Sequence, residues 1–287
     1  MALFGKRKGK VSAAQDNFIG PDNVTNVTGT DVGTNRPYNN GAIVISWTAP
    51  TTGNTPTGYK VYDGATLKAT IPYGTNTATI TGLTSNTLYT TFVVKSYDSY
   101  REASGTPVPN TTITTVPDAP TTVVGTDQGS GRAFNSGQIS VSWATPSTGG
   151  KAITGYTVTP SATVAATAAS SSPLVLTGFA SATAYTFTVT ATNNNGTSAA
   201  SAASASVTAT TLPSAPASLS ATVVNSTTVT LTYGAFNTAG SAQTALQGSG
   251  TNSGDIYDAT GAAVNLTYSG TLNPAGGTIQ VTGSFPA

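Results

Sequence analysis

An internal repeat limits what this chain can fold into more than any other feature of its sequence. A shift of 96 residues places Trp47 on Trp143 and Tyr89 on Tyr185. A third unit begins in the same way at Pro213, but its likeness to the first two fades along the chain. The chain therefore contains two copies of one domain of roughly 100 residues, followed by a unit that is either a degenerate copy or a different domain.

Both copies show the pattern of β-strands. Ile43, Ile45 and Trp47 alternate with Val44 and Ser46, and apolar residues alternate with threonines over 185–191. This period of two sends one set of side chains inward and the other to solvent. Turn residues such as Asn39-Asn40-Gly41 and Asn193-Asn194-Asn195-Gly196 separate these runs at short intervals. No stretch shows sustained helical spacing. The sequence predicts an all-β fold.

The composition excludes several classes of chemistry. The chain has no Cys and no His, so a disulfide framework, a thiolate nucleophile, a Ser-His-Asp triad and a conventional zinc site are ruled out. Only 7% of the residues are charged, while 38% are hydrophobic, enough to form a core. The net charge of +1 gives no field for holding nucleic acid or an anionic membrane. We expect a protein that is not an enzyme and needs no cofactor.

Several motifs carry a family resemblance. The second copy opens with Pro117-x-x-Pro120, where the first keeps only the leading Pro21. Each copy has a Trp at the end of its second strand (Trp47, Trp143), a Gly-Tyr pair opening the third, and a late tyrosine (Tyr89, Tyr185). Over residues 20–212 the chain resembles tandem fibronectin type III domains, which are immunoglobulin-like β-sandwiches. The resemblance implies that Tyr89 and Tyr185 are tyrosine-corner residues. The sequences of the two repeats are similar to fibronectin type III repeats found in bacteriophage structural proteins and in bacterial surface or secreted proteins.

The repeat and the resemblance divide the chain into four parts. Residues 1–19 form a basic extended arm, 20–116 and 117–212 form the two fibronectin type III-like domains, and 213–287 form a C-terminal β domain. Short proline-containing linkers join the domains, which favours a semi-rigid spacer. The C-terminal domain is a degenerate repeat or a distinct domain for docking and oligomerisation.

The most conspicuous polar feature of the repeat is a pair of opposite charges. Asp31 precedes Arg36, and Asp127 precedes Arg132 at the same places in the second copy. These residues form either a ligand clamp or, the interpretation we favour, an ion pair that braces the first hairpin. Both domains then need the same pair for the same structural reason.

Aromatic side chains offer two kinds of site. Trp47, Trp143 and the matched tyrosines lie on the inward face of the alternation, which favours core packing over stacking on sugars. Tyr97 and Tyr100 follow the last strand motif of the first copy and are the candidates for exposed aromatic contacts.

The basic arm is a candidate docking segment. Its charged residues are Lys6, Arg7, Lys8 and Lys10. The arm is either a solvated tail or a segment that becomes ordered on a partner. Because no aromatic residues are interleaved with these charges, a protein partner is a better expectation than nucleic acid.

Two aspartates, Asp255 and Asp258, are the only charged residues after Lys151. With Asn252 they offer oxygen ligands to a calcium ion, but they lack the spacing of known calcium loops. An ordinary polar turn is the favoured interpretation, so the sequence predicts no metal site.

These observations lead to two functional hypotheses. No basic segment followed by an apolar run opens the sequence, so we expect synthesis in the cytoplasm without a signal peptide and no membrane segment. The first hypothesis is a non-enzymatic virion structural protein of a bacteriophage, a decoration or fibre-like component of capsid or tail. Its partners are other virion proteins, further copies of itself and host-surface glycans, held by weak multivalent contacts. The alternative is a bacterial surface adhesin or an accessory carbohydrate-binding module of a secreted protein.

Overall fold

The computed structural model is all-β, as predicted. It describes residues 20–129, 131–162, 164–225, 228–239, 245–247, 267–269 and 275–282, and none of these residues is helical. Accordingly, no described segment is a helix long and apolar enough to cross a membrane. The basic arm and the calcium candidates lie outside the described residues.

The chain divides into two compact units. The first comprises residues up to Val116 together with 148–152 and 194–196, and the second comprises 117–147, 153–193 and 197–287. One boundary of these units lies between Val116 and Pro117, and the predicted division into four parts stays a prediction. The separation of residues 213–287 as a third domain stays a prediction.

The first unit is a β-sandwich. Its strands are β1 (Thr25–Asp31), β2 (Gly41–Thr48), β3 (Gly58–Asp63), β4 (Thr66–Pro72), β5 (Thr77–Leu83), β6 (Thr87–Tyr89), β7 (Phe92–Tyr97), β8 (Thr106–Pro107) and β9 (Thr111–Ile113). One sheet has the order β1-β2-β5 and the other the order β4-β3-β7-β8, while β6 pairs with β9. All of these pairings are antiparallel. This is the architecture that the alternating pattern predicts.

The alternating apolar residues of both sheets form one core. Strand β2 contributes Ile43, Ile45 and Trp47, and strand β3 contributes Tyr59 and Val61, each at most 5% exposed. Because side chains alternate across a strand, the intervening residues of β3 point away from this core. They form the outer face considered below.

The second copy of the repeat forms the same sandwich. Its strands are β10 (Thr121–Asp127), β11 (Gly137–Ala144), β12 (Ile153–Pro160), β13 (Thr167–Ala169), β14 (Leu174–Phe179), β15 (Ala184–Tyr185), β16 (Phe187–Asn193), β17 (Gly196–Thr197) and β18 (Val207–Thr208). The sheets have the orders β10-β11-β14 and β13-β12-β16-β17, with β15 paired to β18. Even the irregularity of the first strand pair recurs, between Thr25 and Thr28 and between Thr121 and Val124. The repeat is therefore structural as well as sequential.

A ladder of serines completes the edge of strand β16. The backbone N–H groups of Ser198, Ser201 and Ser204 donate to carbonyl oxygens of β16, and their hydroxyls accept N–H groups from the same strand at 3.0 Å. Each hydroxyl also donates to the carbonyl of the following alanine. The three serines thus satisfy backbone groups that an ordinary strand would pair through its main chain.

The remaining described strands lie near the C-terminus. They are β19 (Leu219–Asn225), β20 (Thr228–Tyr233), β21 (Ala245–Gln247), β22 (Thr267–Ser269) and β23 (Gly277–Thr282). Strands β19, β20 and β23 form a three-stranded antiparallel sheet, and β21 pairs with β22. Tyr233 is buried beside Phe236, with ring centroids 6.2 Å apart.

Candidate functional site

The outer face of the four-stranded sheet in the first sandwich carries a cluster of charged and aromatic side chains. Lys60 and Tyr62 point outward from β3, and Lys95 and Tyr97 point outward from the neighbouring strand β7. Lys60 lies directly opposite Lys95 across the two strands. Like charges in this position destabilise a sheet unless an opposite charge lies between them.

Glu102 supplies that opposite charge. Its carboxylate is hydrogen-bonded to the Lys60 ammonium, and it accepts the Tyr62 hydroxyl on both oxygens at 3.0 and 3.1 Å. The Lys95 nitrogen lies further away, 3.9 Å from the second carboxylate oxygen. One carboxylate therefore serves two ammonium groups and one phenol.

These contacts alter the acidity of the groups. The hydrogen bond from Lys60 is the main cause that lowers the pKa of Glu102, and the same bond raises the pKa of Lys60. Partial burial raises the pKa of the Tyr62 hydroxyl, and its hydrogen bond to Glu102 raises it further. All three groups keep their usual charge states at neutral pH.

The two ammonium groups also lie over aromatic rings. The Lys60 nitrogen is 4.8 Å from the ring centroid of Tyr97, and the Lys95 nitrogen is 5.2 Å from that of Tyr62. These are cation–π distances. Each ammonium group therefore lies near the ring of a tyrosine on the neighbouring strand, and every member of the cluster is half-buried.

The turn beside this cluster exposes a further tyrosine. Tyr97 and Glu102 form an isolated antiparallel bridge, and the four residues between them make a tight turn. Asp98 stabilises the turn by accepting the N–H groups of Tyr100 at 2.8 Å and of Arg101 at 2.9 Å. The Tyr100 side chain is 68% exposed.

The second sandwich has none of this chemistry at the same positions. Its register is the same, so the outward residues of its two central strands can be matched one to one. The positions of Lys60, Tyr62, Val93, Lys95 and Tyr97 are occupied there by Thr157, Thr159, Thr188, Thr190 and Thr192. The fold therefore does not require the charged and aromatic cluster.

The structure places the two predicted aromatic contacts differently. Tyr100 is exposed, as expected of a contact residue. Tyr97 belongs to strand β7 rather than following it, and its half-buried ring lies beneath Lys60. The expectation that Tyr97 follows the strand was wrong, because β7 extends to this residue, but its side chain lies on the outer face of the sheet and is only half-buried. Comparing the outward residues of the two copies would have identified the charged members of the cluster.

The candidate core aromatics are buried, except Tyr89, which is partly buried against the core. Trp47 packs against Tyr59 and Trp143 against Tyr156, each pair with ring centroids 5.1 Å apart. Both tryptophans are at most 6% exposed, which leaves no ring surface for a sugar.

The late tyrosines bind the backbone just upstream. The Tyr89 hydroxyl accepts the N–H of Thr84 at 3.0 Å, and the Tyr185 hydroxyl accepts the N–H of Ala180 at 3.1 Å. A bond of this span is the tyrosine-corner contact of immunoglobulin-like sandwiches.

The predicted pairing of Asp31 with Arg36 is not found. Asp31 instead accepts the backbone N–H of Thr114 at 3.0 Å and is hydrogen-bonded to the Thr114 hydroxyl. Asp127 holds Thr210 in the same way, with the N–H at 3.1 Å. Each carboxylate therefore attaches the first strand of its sandwich to the end of the last.

The arginines have other roles. The carbonyl of Arg36 accepts the N–H of Val116 at 3.0 Å, and the Arg132 guanidinium donates to the side-chain oxygen of Gln138. The prediction of an ion pair failed because closeness in sequence suggested a partner within the hairpin. The hydroxyl and N–H of a distant threonine satisfy the carboxylate instead.

Within the described ranges, no three His, Cys, Asp or Glu side chains come together in a group that could hold a metal ion. Asn252, Asp255 and Asp258 lie outside those ranges, as do Lys6, Arg7, Lys8 and Lys10. The hypotheses about these residues stay predictions.

Comparison with known proteins identifies the domain type. Residues 126–207 match the family described as Fibronectin type III domain. Chitinase A1 of Niallia circulans is 36% identical over 148 residues, which cover 49% of this chain and 20% of that protein. Exoglucanase B of Cellulomonas fimi is 33% identical over 221 residues, which cover 74% of this chain and 19% of that protein. The chain thus spans about a fifth of the length of these relatives.

Two solved structures of multidomain segments align with this chain. The FN1–FN3 domains of chicken CNTN1 align over 93% of this chain and 90% of that chain, with 15% identity and a TM-score of 0.38. Domains A168–A170 of titin align over 61% of both chains, with 19% identity and a TM-score of 0.33. The family match in the second sandwich and the repeat of that sandwich in the first support a protein of tandem fibronectin type III domains.

Proposed function

We propose that this chain is a non-catalytic accessory segment of a secreted polysaccharide-degrading or cell-surface protein, and that it holds polysaccharide. The observation that supports this is the extent of the likeness to the exoglucanase. It runs over 74% of this chain but only 19% of the enzyme. The shared part is therefore a small portion of a larger polysaccharide-active protein.

The chemistry of the carboxylate at the candidate site agrees with a non-catalytic role. Glycoside hydrolysis uses two carboxyl groups, one of which acts as an acid and has a raised pKa. Glu102, the carboxylate at the candidate site, is held by Lys60 and Tyr62, and its pKa is lowered. Such a group organises its neighbours rather than donating a proton.

The virion hypothesis stays a prediction. Both curated relatives named above are bacterial enzymes, a chitinase and an exoglucanase, and they favour the alternative of an accessory module. Tandem domains suit that role because several weak contacts on one polymer reinforce each other through effective concentration.

Retention on polysaccharides tests the proposal. The purified chain is mixed with microcrystalline cellulose, with chitin and with crosslinked polygalacturonate, and the protein left in solution is measured against serum albumin. We expect retention on at least one polymer above the albumin background, without release of reducing sugar. Retention on none of the three would refute the proposal, and sugar release by the pure chain would refute its non-catalytic part. If none of the three polymers retains the chain but the chain is incorporated into virus particles, the virion hypothesis is favoured.

A further inference from the structure

We infer that the outer face of the first sandwich binds a carboxylated polysaccharide. We call this surface the Lys–Tyr–Glu face; it consists of Lys60, Tyr62, Lys95, Tyr97 and Glu102. The inference rests on the proposed function and names the ligand class of one site.

Stability does not account for this cluster. The second sandwich has the same strands and register with threonines at the four strand positions. Ion pairs that remain partly exposed add little to stability. In the ion pair between Lys60 and Glu102, each side chain is more than a quarter exposed. Two lysines opposite each other are a cost that a purely structural face avoids.

The charges of the face leave one positive charge unbalanced. Two ammonium groups share a single carboxylate, and that carboxylate already binds Lys60 and Tyr62. Lys95 lies 3.9 Å from Glu102, which is beyond hydrogen-bonding distance. An ammonium group carries three N–H donors, so this carboxylate leaves the donors of Lys95 available to an incoming anion. The Lys95 side chain is 31% exposed.

The aromatic residues favour a sugar polymer over other anions. Tyr100 projects from the turn between Tyr97 and Glu102 and is 68% exposed. A tyrosine ring offers an apolar surface with a polar tip, which suits a pyranose ring that has apolar and hydroxyl-bearing sides. Because these half-buried lysines and rings belong to the outer face of a β-sheet, the surface suits an extended polymer that carries carboxylates.

Affinity electrophoresis measures this interaction directly. The chain is run through native gels that contain polygalacturonate or its fully methyl-esterified form, which keeps the backbone and removes the charge. We expect retardation in the acidic polymer and none in the ester. Lys95→Thr, which inserts the residue present at Thr190 of the second sandwich, should raise the dissociation constant about tenfold, as the loss of one charged hydrogen bond requires.

Two matched variants control for charge and for aromatic surface. Lys151→Thr removes the same charge from an exposed position before β12 and should bind like the unmodified chain. Tyr100→Ala should weaken binding, whereas Tyr73→Ala, which removes another exposed tyrosine of the same sandwich, should not. Circular dichroism of each variant verifies the fold.

Four results of the binding measurements on acidic polymers and variants would overturn the inference. The first is equal retardation by the acidic polymer and its ester. The second and third are equal losses of affinity for Lys95→Thr and Lys151→Thr, or for Tyr100→Ala and Tyr73→Ala. The fourth is binding to poly-L-glutamate as strong as binding to polygalacturonate, which would indicate an acidic protein as partner. Retention on cellulose or chitin without retardation by polygalacturonate also overturns it but leaves the proposed function intact. If the chain binds none of the three polymers, the proposed function itself is overturned.

Discussion

Replacing Ser201 by alanine tests how the serine ladder stabilises the edge of the second sandwich. The Ser201 hydroxyl accepts the N–H of Val189 at 3.0 Å, and alanine leaves this N–H without that acceptor. The N–H of Ser201 itself remains bonded to the Val189 carbonyl at 2.9 Å, so the segment keeps its place. Val189 is fully buried and Ser201 is 7% exposed, which limits replacement by water. A buried N–H without a partner costs about 1–3 kcal/mol, and we expect a loss of about 2 kcal/mol.

Urea unfolding of the second sandwich measures this loss. The chain has two tryptophans, so a Trp47→Phe background leaves Trp143 as the reporter of its own sandwich. For a domain of this size, about 2 kcal/mol lowers the midpoint by roughly 1 M urea. The matched control is Ser206→Ala, because Ser206 is exposed in the same segment and its removal should change the unfolding free energy by less than about 0.5 kcal/mol.

The urea midpoints of Ser201→Ala and Ser206→Ala together show whether the serine hydroxyls stabilise this edge. Equal midpoints for Ser201→Ala and Ser206→Ala would show that the hydroxyls do not stabilise this edge. A second check is additivity: Ser198 and Ser204 bond different residues of β16, so the triple alanine variant should lose roughly three times as much as Ser201→Ala alone.

Three further predictions concern stability. Tyr185→Phe removes a hydroxyl that accepts a backbone N–H at 3.1 Å and should cost about 1–2 kcal/mol in urea unfolding. Asp127→Ala should cost at least about 1 kcal/mol through its bonds to Thr210, but Arg132→Ala should cost far less; equal losses would revive the predicted ion pair. Glu102 has a pKa below its ordinary value of 4.5, so its stabilising effect is present above that pH and is lost as the pH falls through the lowered pKa. Glu102→Gln should therefore reduce the acid-dependent fall in stability between pH 7 and pH 3 by less than about 1 kcal/mol, since the side chain is 29% exposed.

The core could be predicted from the sequence because burial leaves a periodic signal. Trp47 and Trp143 lie where the alternation puts them, on the inward side of the second strand in each sandwich. The late tyrosines were located through the family resemblance. These features depend on local pattern and on the repeat, both of which a single sequence displays.

Contacts between distant segments were not predictable in the same way. Asp31 lies 5 residues before Arg36 but binds Thr114, which is 83 residues away. Only the register of the folded sheets reveals that contact. The serine ladder was missed for another reason: its spacing of three resembles neither a strand nor a helix, and a segment rich in alanine and serine reads as a connection.

The two sandwiches separate what the fold requires from what it permits. Their inward residues, tyrosine corners and carboxylate–threonine contacts agree, so these features belong to folding. Their outward residues differ, and in the second copy threonines occupy the matched outward positions of the two central strands. A face on which two opposed lysines require a glutamate between them is harder to explain by stability than one built from threonines. Because the same scaffold folds without it, we assign the proposed polysaccharide binding to this face.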